Sequence, residues 1–432
     1  MDKKTRKLNT ELLAPAGSLE KAHYALHFGA DAIYAGLPEI SMRARINSFK
    51  EEELAKAVEL AHAKGKKLYI TLNIYAHTAH LERIRQHLLF LARIRPDAVI
   101  VSDPGVLSLV QEIIPETEIH LSTQANVTNW RSAKFWSEQG VKRIVLAREV
   151  TLEDIRLIHE KVPEVELEYF VHGAMCMSYS GRCMLSKMML GRSANLGDCV
   201  QPCRWAYKIK EQTQEEGEDA QTKLLGLEDM LGRYSLEAEE DGQGTYIFNS
   251  KDLCLIEHLK ELSSAGVTSF KIEGRNKSAF YVGSVVRAYR KVLDVLEKEE
   301  SSEKVSAEAS RQKEELQKMM HRGYTKGFLF GDEPQHSTVF AHLPAKTQFV
   351  GEVLGEEEGQ VLIKVHNAIQ LTDELEALTP EKIIPLKIIA LRDAQGKQLF
   401  SAHGGGKEDV FRFSFKGGLV LEKNALIRKV IC

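Results

Sequence analysis

The sequence predicts an α/β fold: a parallel (β/α)8 TIM-like barrel with a cysteine-bearing insertion, followed by a small C-terminal all-β barrel domain. Three observations predict this fold. Short apolar runs alternate with amphipathic stretches, the spacing is interrupted once, and the C-terminal part carries short β-like runs separated by Gly and Asp turns. Parallel strands that are covered by helices are apolar along their length, and eight such units close a barrel.

The predicted strands follow one another in a regular order. They cover residues 12–15, 31–36, 67–73, 98–103, 118–124, 143–148, 167–172 and 268–273. Between them, amphipathic stretches at 51–64, 79–91 and 131–139 fit helices that cover the outside of the barrel. This alternation predicts eight β/α units.

The interruption lies between the seventh and the eighth strand. It predicts an insertion at about 173–267 within a first domain that covers residues 1–335. The second domain, 336–432, is predicted from β-like runs such as 361–365 and 410–413. Because the insertion follows the carboxyl end of a strand, we expect it at the catalytic face of the barrel.

The composition limits the possible partners. The chain has 432 residues and a formal net charge of -3, so any contact with nucleic acid must come from a local basic patch. No apolar run approaches the roughly 20 residues of a membrane span, and no apolar signal core follows the basic N-terminus. We therefore expect a cytoplasmic protein without a membrane partner, and its oligomeric state stays open.

Polar residues stand where several predicted strands end. In a β/α barrel the carboxyl ends of the strands form the catalytic face, so these positions are candidates for substrate contacts. The alternative for each of them is a helix N-cap or a turn residue. The residues are Asn73, Asp103, Gln124, Arg148, Glu149, His172, Glu273 and Arg275.

Four cysteines are concentrated in the insertion: Cys176, Cys183, Cys199 and Cys203. Thiolates are soft ligands that suit zinc or an iron-sulfur cluster, and a reducing cytoplasm disfavours disulfides. Structural zinc sites usually use short loops at both ends, and only the last pair has that form. The spacing therefore favours an iron-sulfur cluster, with zinc as the alternative.

Basic and aromatic residues are interleaved with these cysteines. Arg182, Lys187 and Arg204 belong to a local positive patch that also contains Trp205 and Tyr179. This combination suits phosphate contacts and base stacking. Alternatively, the arginines offset the negative charge of a thiolate-ligated cluster and the aromatic rings pack against it.

The strand ends also suggest acid–base and anion-binding chemistry. His172 could act as an acid, a base or a ligand, or form only a structural hydrogen bond. Glu273 and Arg275 offer charges for an anionic ligand, with an internal ion pair as the alternative. The chain has no H-E-x-x-H, G-x-S-x-G or Walker motif, so hydrolysis has no recognisable machinery.

Four segments together resemble the collagenase-like peptidase family U32. They are LAPAGS at 13–18, EYFVHGAMC at 168–176, NSKDL at 249–253 and KIEGR at 271–275. The resemblance covers essentially the whole chain. Within the family, the chain most strongly resembles the members that form 5-hydroxyuridine at the tRNA wobble position with prephenate-dependent chemistry. Relatives that hydroxylate the ubiquinone ring hold a 4Fe-4S cluster, so the resemblance implies that cluster on the four cysteines.

The resemblance and the residues lead to one hypothesis, an RNA hydroxylase. Its expected partners are tRNA, bound through the anticodon loop, and a small anionic cosubstrate such as prephenate. The catalytic candidates are His172, Glu273, Arg275 and Arg148, and the substrate-binding candidates are Asn73, Asp103, Gln124, Arg182, Lys187, Arg204 and Lys271. The alternatives are a collagenase-like peptidase, which the family name implies, and a zinc-stabilised RNA-binding module.

Overall fold

The structure is a computed structural model. It describes residues 10–37, 49–175, 179, 183, 185–205, 207–212, 224–229, 235–238, 251–298, 300–331, 343–405 and 409–431. None of the helices in these ranges combines the length and the apolar character needed to cross a bilayer.

The first domain is a closed parallel barrel, as predicted. Its strands pair in the order β12-β1-β2-β3-β4-β5-β6-β7, and the pairing of β12 with β7 closes the ring. The predicted α/β barrel and its eight strands are therefore confirmed within the described residues. The strands are β1 Glu11–Pro15, β2 Ala32–Gly36, β3 Lys67–Leu72, β4 Ala98–Val101, β5 Glu118–Leu121, β6 Arg143–Val145, β7 Glu166–Ala174 and β12 Val267–Ile272.

Helices follow the strands and cover the outside of the barrel. Several of them begin at a short polar side chain that accepts a hydrogen bond from a backbone N–H group in the first turn, which satisfies one of the donors left open at a helix start. The helices are α1 Leu19–His27, α2 Glu51–Ala63, α3 Thr78–Ile94, α4 Pro104–Ile113, α5 Trp130–Glu138, α6 Leu152–Lys161, α7 Leu185–Leu190, α8 Leu259–Ser264, α9 Ala279–Glu297 and α10 Ser302–Gln317.

The barrel has two different cores. A large apolar core lies between the strands and the covering helices. Inside the barrel, a small cluster that includes Leu13, Tyr34, Tyr69 and Ile100 fills part of the interior. Because side chains alternate between the two faces of a strand, the remaining inward positions are open to polar residues. These polar residues build the candidate site.

Between β7 and β12 the chain forms the insertion. It contains α7, an antiparallel sheet of β8 Tyr207–Gln212, β9 Leu224–Asp229 and β10 Ser235–Ala238, and then β11 Asp252–Cys254 and α8. Strand β11 pairs antiparallel with β7 and parallel with β13 Tyr324–Thr325, so the insertion returns to the barrel beside His172.

The predicted C-terminal β barrel is also confirmed. Its strands close in the order β14-β15-β20-β18-β17-β21, and β16 pairs with β19 beside it. The predicted domain boundary at 335/336 lies outside the described residues and stays a prediction. The strands are β14 Thr347–Glu357, β15 Gln360–Val365, β16 Ile369–Gln370, β17 Glu374–Leu378, β18 Ile383–Arg392, β19 Ser401–Ala402, β20 Val410–Phe415 and β21 Leu426–Val430.

An ion-pair network joins this barrel to helix α10. Arg428 of β21 is 1% exposed and contacts Glu376 of β17 at 2.5 Å and Glu315 of α10 at 2.7 Å. Arg287 of α9 donates a hydrogen bond to the Thr379 carbonyl oxygen at 2.8 Å. The two barrels therefore contact each other through buried polar groups, far from the cysteine-bearing insertion in sequence.

Candidate active site at the barrel mouth

A chain of ion pairs crosses the interior of the barrel below its mouth. The Glu168 carboxylate, which is fully buried, contacts Lys271 Nζ at 2.5 Å and Arg143 Nη1 at 3.4 Å. Arg143 also contacts Glu11 of β1. Burial alone would raise the pKa of Glu168, but the Lys271 and Arg143 cations outweigh it and hold that pKa below its ordinary value. These four residues form what we call the lower layer.

Two further cations, Arg148 and Arg275, lie together with Lys271 of the lower layer around two aromatic rings. Lys271 Nζ is 4.6 Å from the centre of the Tyr34 ring and 5.4 Å from that of Phe170. Arg148 Cζ lies 3.9 Å from the Phe170 centre, and Arg275 Cζ lies 5.7 Å from the Tyr34 centre. We call Arg148, Lys271 and Arg275 the cationic cluster. Its members are only 4–8% exposed.

Neighbouring groups hold the cationic cluster in place. Arg275 Nη1 donates to Thr71 Oγ1 of β3 at 2.9 Å, and the Tyr34 hydroxyl donates to the Ile272 carbonyl oxygen at 2.9 Å. Burial lowers the pKa of Lys271, and the Arg275 cation adds to that effect against the opposing Glu168 carboxylate. Cations held over aromatic rings in a buried site are suited to an anionic ligand, because little solvent competes for their charge.

Two glycines allow three of the segments that carry the family resemblance, 13–18, 168–176 and 271–275, to pack closely against one another. A Cβ atom on Gly173 would lie 2.7 Å from the Glu273 carbonyl oxygen, and one on Gly17 would lie 2.2 Å from the Arg275 carbonyl oxygen. Gly173 also has a φ of 109°, which favours glycine. The strands β1, β7 and β12 are neighbours in the ring, so distant segments of the sequence converge at Glu273, which is 6% exposed.

His172 lies in an aromatic environment formed by α9 and β13. Its ring centre is 5.5–6.1 Å from the ring centres of Tyr281, Tyr289 and Tyr324, and its Nδ1 atom is 3.3 Å from the Tyr289 hydroxyl. Burial lowers the pKa of His172 to about 4. The imidazole is therefore neutral at pH 7, which leaves no imidazolium to act as an acid.

The strand-end candidates on β3 to β5 differ in their contacts. Asp103 is the N-cap of α4 and accepts a hydrogen bond from the Val106 N–H group at 3.0 Å, as in the helix-cap alternative. Asn73 Nδ2 donates to Ser122 Oγ at 3.1 Å. Gln124 is 4% exposed, and its amide oxygen and nitrogen have no hydrogen-bond partner within the described part of the chain.

The thiol-bearing segment is attached to the loop that follows β3. The Tyr75 N–H group donates to the Asn195 carbonyl oxygen at 3.1 Å, and the Asn195 side chain accepts from the Cys183 N–H group at 3.3 Å. Helix α7 contacts the turn Pro202–Arg204, which contains Cys203. Cys183, Cys199 and Cys203 are half-buried thiols, whereas Cys176 lies outside the described residues.

The donor chemistry of this segment fits a thiolate-ligated metal group. The Gln201 N–H group donates to Cys199 Sγ at 3.4 Å, and such amide contacts stabilise thiolates that bind iron or zinc. Across the described ranges, no three His, Cys, Asp or Glu side chains are close enough together to enclose a metal ion. The predicted set also needs Cys176, so the ligand assignment stays a prediction.

The predicted basic contacts of the insertion are only partly described. Lys187 is exposed, and its Nζ atom donates to the Gly191 carbonyl oxygen at 3.4 Å. Arg182 and the side chain of Arg204 lie outside the described residues. Nearby, Arg192 forms an ion pair with Asp198 at 2.6 Å.

The sequence did not predict four residues of the site as functional, because each lies inside a predicted strand and not at its end: Tyr34, Thr71, Glu168 and Phe170. Their inward position at alternate places along the strands is the signal that could have found them, once the register of the barrel was known.

Sequence profiles of known families match nearly the whole chain. The profile of Peptidase family U32 matches residues 17–338, and that of the Peptidase family U32 C-terminal domain matches residues 345–428. The chain belongs to peptidase family U32. The family predicted from the four motifs is therefore confirmed.

Relatives within family U32 carry different functional names. The tRNA hydroxylation protein P of Escherichia coli is 40% identical over 92% of this chain and 92% of its own length. Its namesake from Haemophilus influenzae is 38% identical over 93% of both chains. The 23S rRNA 5-hydroxycytidine C2501 synthase of Escherichia coli is 34% identical over 87% of this chain and 53% of its own. A Porphyromonas gingivalis protein named Collagenase is 33% identical over 74% of this chain and 73% of its own.

Proposed function

We propose that this chain is an RNA hydroxylase that converts the wobble uridine of a tRNA anticodon loop to 5-hydroxyuridine. Two relatives that align over more than nine tenths of the chain are named for tRNA hydroxylation, and a third is named for hydroxylation of a ribosomal RNA cytidine. These names support RNA hydroxylation as the reaction class. Uridine as the target comes from the resemblance.

The observation that carries the proposal is the cationic cluster at the barrel mouth. Arg148, Lys271 and Arg275 are buried around Phe170 and Tyr34 at the carboxyl ends of the strands. Conversion of C5–H to C5–OH is a two-electron oxidation, so it needs a cosubstrate that supplies the oxygen atom and takes up the two electrons. A carboxylate such as prephenate, in that role, would bind Arg148 and Arg275 through charge-assisted hydrogen bonds. A peptidase would need an activated nucleophile or metal-bound water instead.

The chain's own groups would position the reactants. Glu273, 6% exposed at the end of β12, is our candidate to accept the proton that leaves C5 of the uracil ring. Neutral His172 would act as a hydrogen-bonding group rather than as a proton donor. Exposed Lys187, together with Arg182 and Arg204, would contact phosphates of the loop. A wobble base is already single-stranded, so bringing it to the mouth costs little unstacking energy.

The four predicted thiolates would hold a 4Fe-4S cluster. Cys176, Cys183, Cys199 and Cys203 supply the soft ligands, and the Gln201 N–H group already donates to Cys199 Sγ. When bound, such a cluster supplies one-electron transfer.

The test combines metal analysis with an assay on tRNA. The protein is purified without oxygen, its iron, sulfide and zinc are counted, and 5-hydroxyuridine is measured by mass spectrometry in tRNA from cells that carry each variant as the sole copy of the gene. We expect iron and sulfide in the wild type, and loss of both the cluster and the modified nucleoside in Cys183→Ala. Cys254→Ala is the matched control, because this cysteine is buried beside Tyr289 and lies outside the quartet.

Three outcomes would contradict the proposal. Stoichiometric zinc without iron would favour the zinc-stabilised RNA-binding module. Gelatin cleavage that survives in Cys183→Ala would favour the peptidase. A normal amount of 5-hydroxyuridine in tRNA from the Cys183→Ala cells would mean that the reaction does not need the cysteine ligands.

A further inference from the structure

The mouth of the barrel has a second group of polar residues that carries no charge. It consists of Asn73 after β3, Ser102 after β4, and Ser122 and Gln124 after β5, on three neighbouring strands. We call these residues the neutral cluster. Arg148 and Lys271 of the cationic cluster come instead from the ends of β6 and β12. The mouth therefore has charged groups at the ends of β6 and β12 and neutral hydrogen-bonding groups at the ends of β3, β4 and β5, and Arg275 extends from the end of β12 to Thr71 of β3.

Within the neutral cluster, Ser122 is hydrogen-bonded to both Asn73 and the backbone of Gln124. Ser122 Oγ accepts from Asn73 Nδ2 at 3.1 Å and from the Gln124 backbone N–H group at 3.4 Å. These bonds hold the backbone of Gln124 at the carboxyl end of β5. The backbone of Gln124 is therefore held in place, and only its side chain remains to bind a ligand.

The Gln124 side chain differs from those of Asn73 and Ser122. It is 4% exposed, yet neither its amide oxygen nor its amide nitrogen has a partner among the residues that the structure describes. The Ser102 hydroxyl on the neighbouring strand has none there either. Burying an amide without partners is costly, so a ligand that supplies both a donor and an acceptor at this strand end would stabilise it.

The chemistry of an amide defines that ligand. An amide presents one donor and one acceptor side by side, and its best complement is a neutral edge with an acceptor and a donor at the same spacing. The Watson–Crick edge of uracil has this form, with N3–H as donor and O4 as acceptor. An anion lacks the donor and would bind the cationic cluster instead.

We propose that Gln124 binds the Watson–Crick edge of the target uracil, with its amide oxygen accepting from N3–H and its amide nitrogen donating to O4. This inference rests on the proposed function and adds the residue that recognises the base. It also divides the mouth between two reactants, with the base beside the neutral cluster and the anionic cosubstrate beside the cationic cluster.

The experiment is a cycle that changes the protein and the base together. Binding to the full-length protein is measured by fluorescence anisotropy with an anticodon stem-loop that carries either uridine or N3-methyluridine at the wobble position. The proteins are the wild type, Gln124→Met, and Gln86→Met as a matched control, because Gln86 is exposed on α3 and bonded to Glu82. Thermal unfolding of each variant verifies that it is folded.

We expect N3-methylation to weaken binding to the wild type and to Gln86→Met by on the order of 10-fold or more. Gln124→Met should bind the uridine loop about as weakly as the wild type binds the methylated loop, and methylation should cost this variant nothing further. Gln124→Glu provides a second variant of nearly equal size. Its carboxylate can accept from N3–H but cannot donate to O4, so it too should bind the uridine loop more weakly.

Equal losses on methylation in the wild type and in Gln124→Met would overturn the inference, because the methyl group would then be sensed elsewhere. Unchanged binding of the uridine loop by both Gln124 variants would overturn it as well. A wild type that hydroxylates its tRNA in either case would leave the proposed function standing. A wild type that neither binds the loop nor hydroxylates tRNA would overturn both.

Discussion

The lower layer and the mouth of the barrel both contain buried polar groups, but they use them differently. In the lower layer, Glu168 contacts both Lys271 and Arg143, so the buried charges neutralise each other. At the mouth, Arg148 and Arg275 lie over aromatic rings, and the Gln124 amide has no partner among the described residues. Internal pairing therefore marks a group that holds the barrel together, whereas the buried Gln124 amide, which has no such pairing among the described residues, is the group for which we propose a ligand.

The largest effect on stability is expected in the lower layer. Glu168→Gln would leave the Lys271 and Arg143 cations buried without their shared carboxylate, and removing one partner of a buried ion pair costs roughly 3–5 kcal/mol. Urea unfolding measures the loss. Glu166→Gln is the control, since that half-exposed carboxylate also contacts Arg143 but should change the free energy of unfolding by about 1 kcal/mol or less. Equal losses in the two variants would break the assignment of Glu168 to a structural layer.

Buried His172 should make the stability of the folded protein depend on pH. Its pKa is lowered by burial from 6.5 to about 4, so unfolding takes up a proton between these pH values. The folded state should therefore lose stability as the pH falls from 6.5 toward 4, by up to about 1.4 kcal/mol per pH unit from this residue.

The measurement is urea unfolding at several pH values for the wild type and His172→Phe. The variant should lose that part of the acid-induced destabilisation, and exposed His403→Gln should retain it. A wild-type slope in His172→Phe would place the titrating group elsewhere.

At the mouth, the expected effect falls on activity rather than on stability. Arg148→Gln should lower the yield of 5-hydroxyuridine on the order of 100-fold, because the positive charge that binds the cosubstrate is lost. The Tm should change little. Arg131→Gln is a matched control, since Arg131 lies 4.4 Å from the Trp130 ring but is exposed on the outside of the barrel. A large loss of Tm with full residual activity would assign Arg148 to the structural region instead.

The smallest effect separates a helix cap from a substrate contact. Asp103→Ala should cost about 1 kcal/mol of stability through the lost N-cap of α4, and Asp103→Ser should restore most of it. If Asp103 only caps the helix, both variants keep full hydroxylation at a temperature where they are folded. Loss of activity in Asp103→Ser, measured on tRNA, would return Asp103 to the substrate-binding group.

Much of the fold could be predicted because its signals are local. Strand and helix periodicity, the interruption after His172 and the change of pattern in the C-terminal part need only neighbouring residues. The polar strand ends were also visible in this way. In contrast, the pairing of Glu168 with Lys271 joins residues more than one hundred positions apart in the sequence, and no local pattern specifies it.

The sequence alone was sufficient for the α/β barrel, the second β barrel, the family and the set of chemically active residue types. Periodicity and residue chemistry are properties of short segments, so folding was not needed to recognise them. The three-dimensional fold was needed to divide those residues by role. In the fold, Asp103 caps a helix and His172 is a buried neutral imidazole. Arg148, Lys271 and Arg275 form a cluster, because burial and the closure of the ring determine which distant side chains meet.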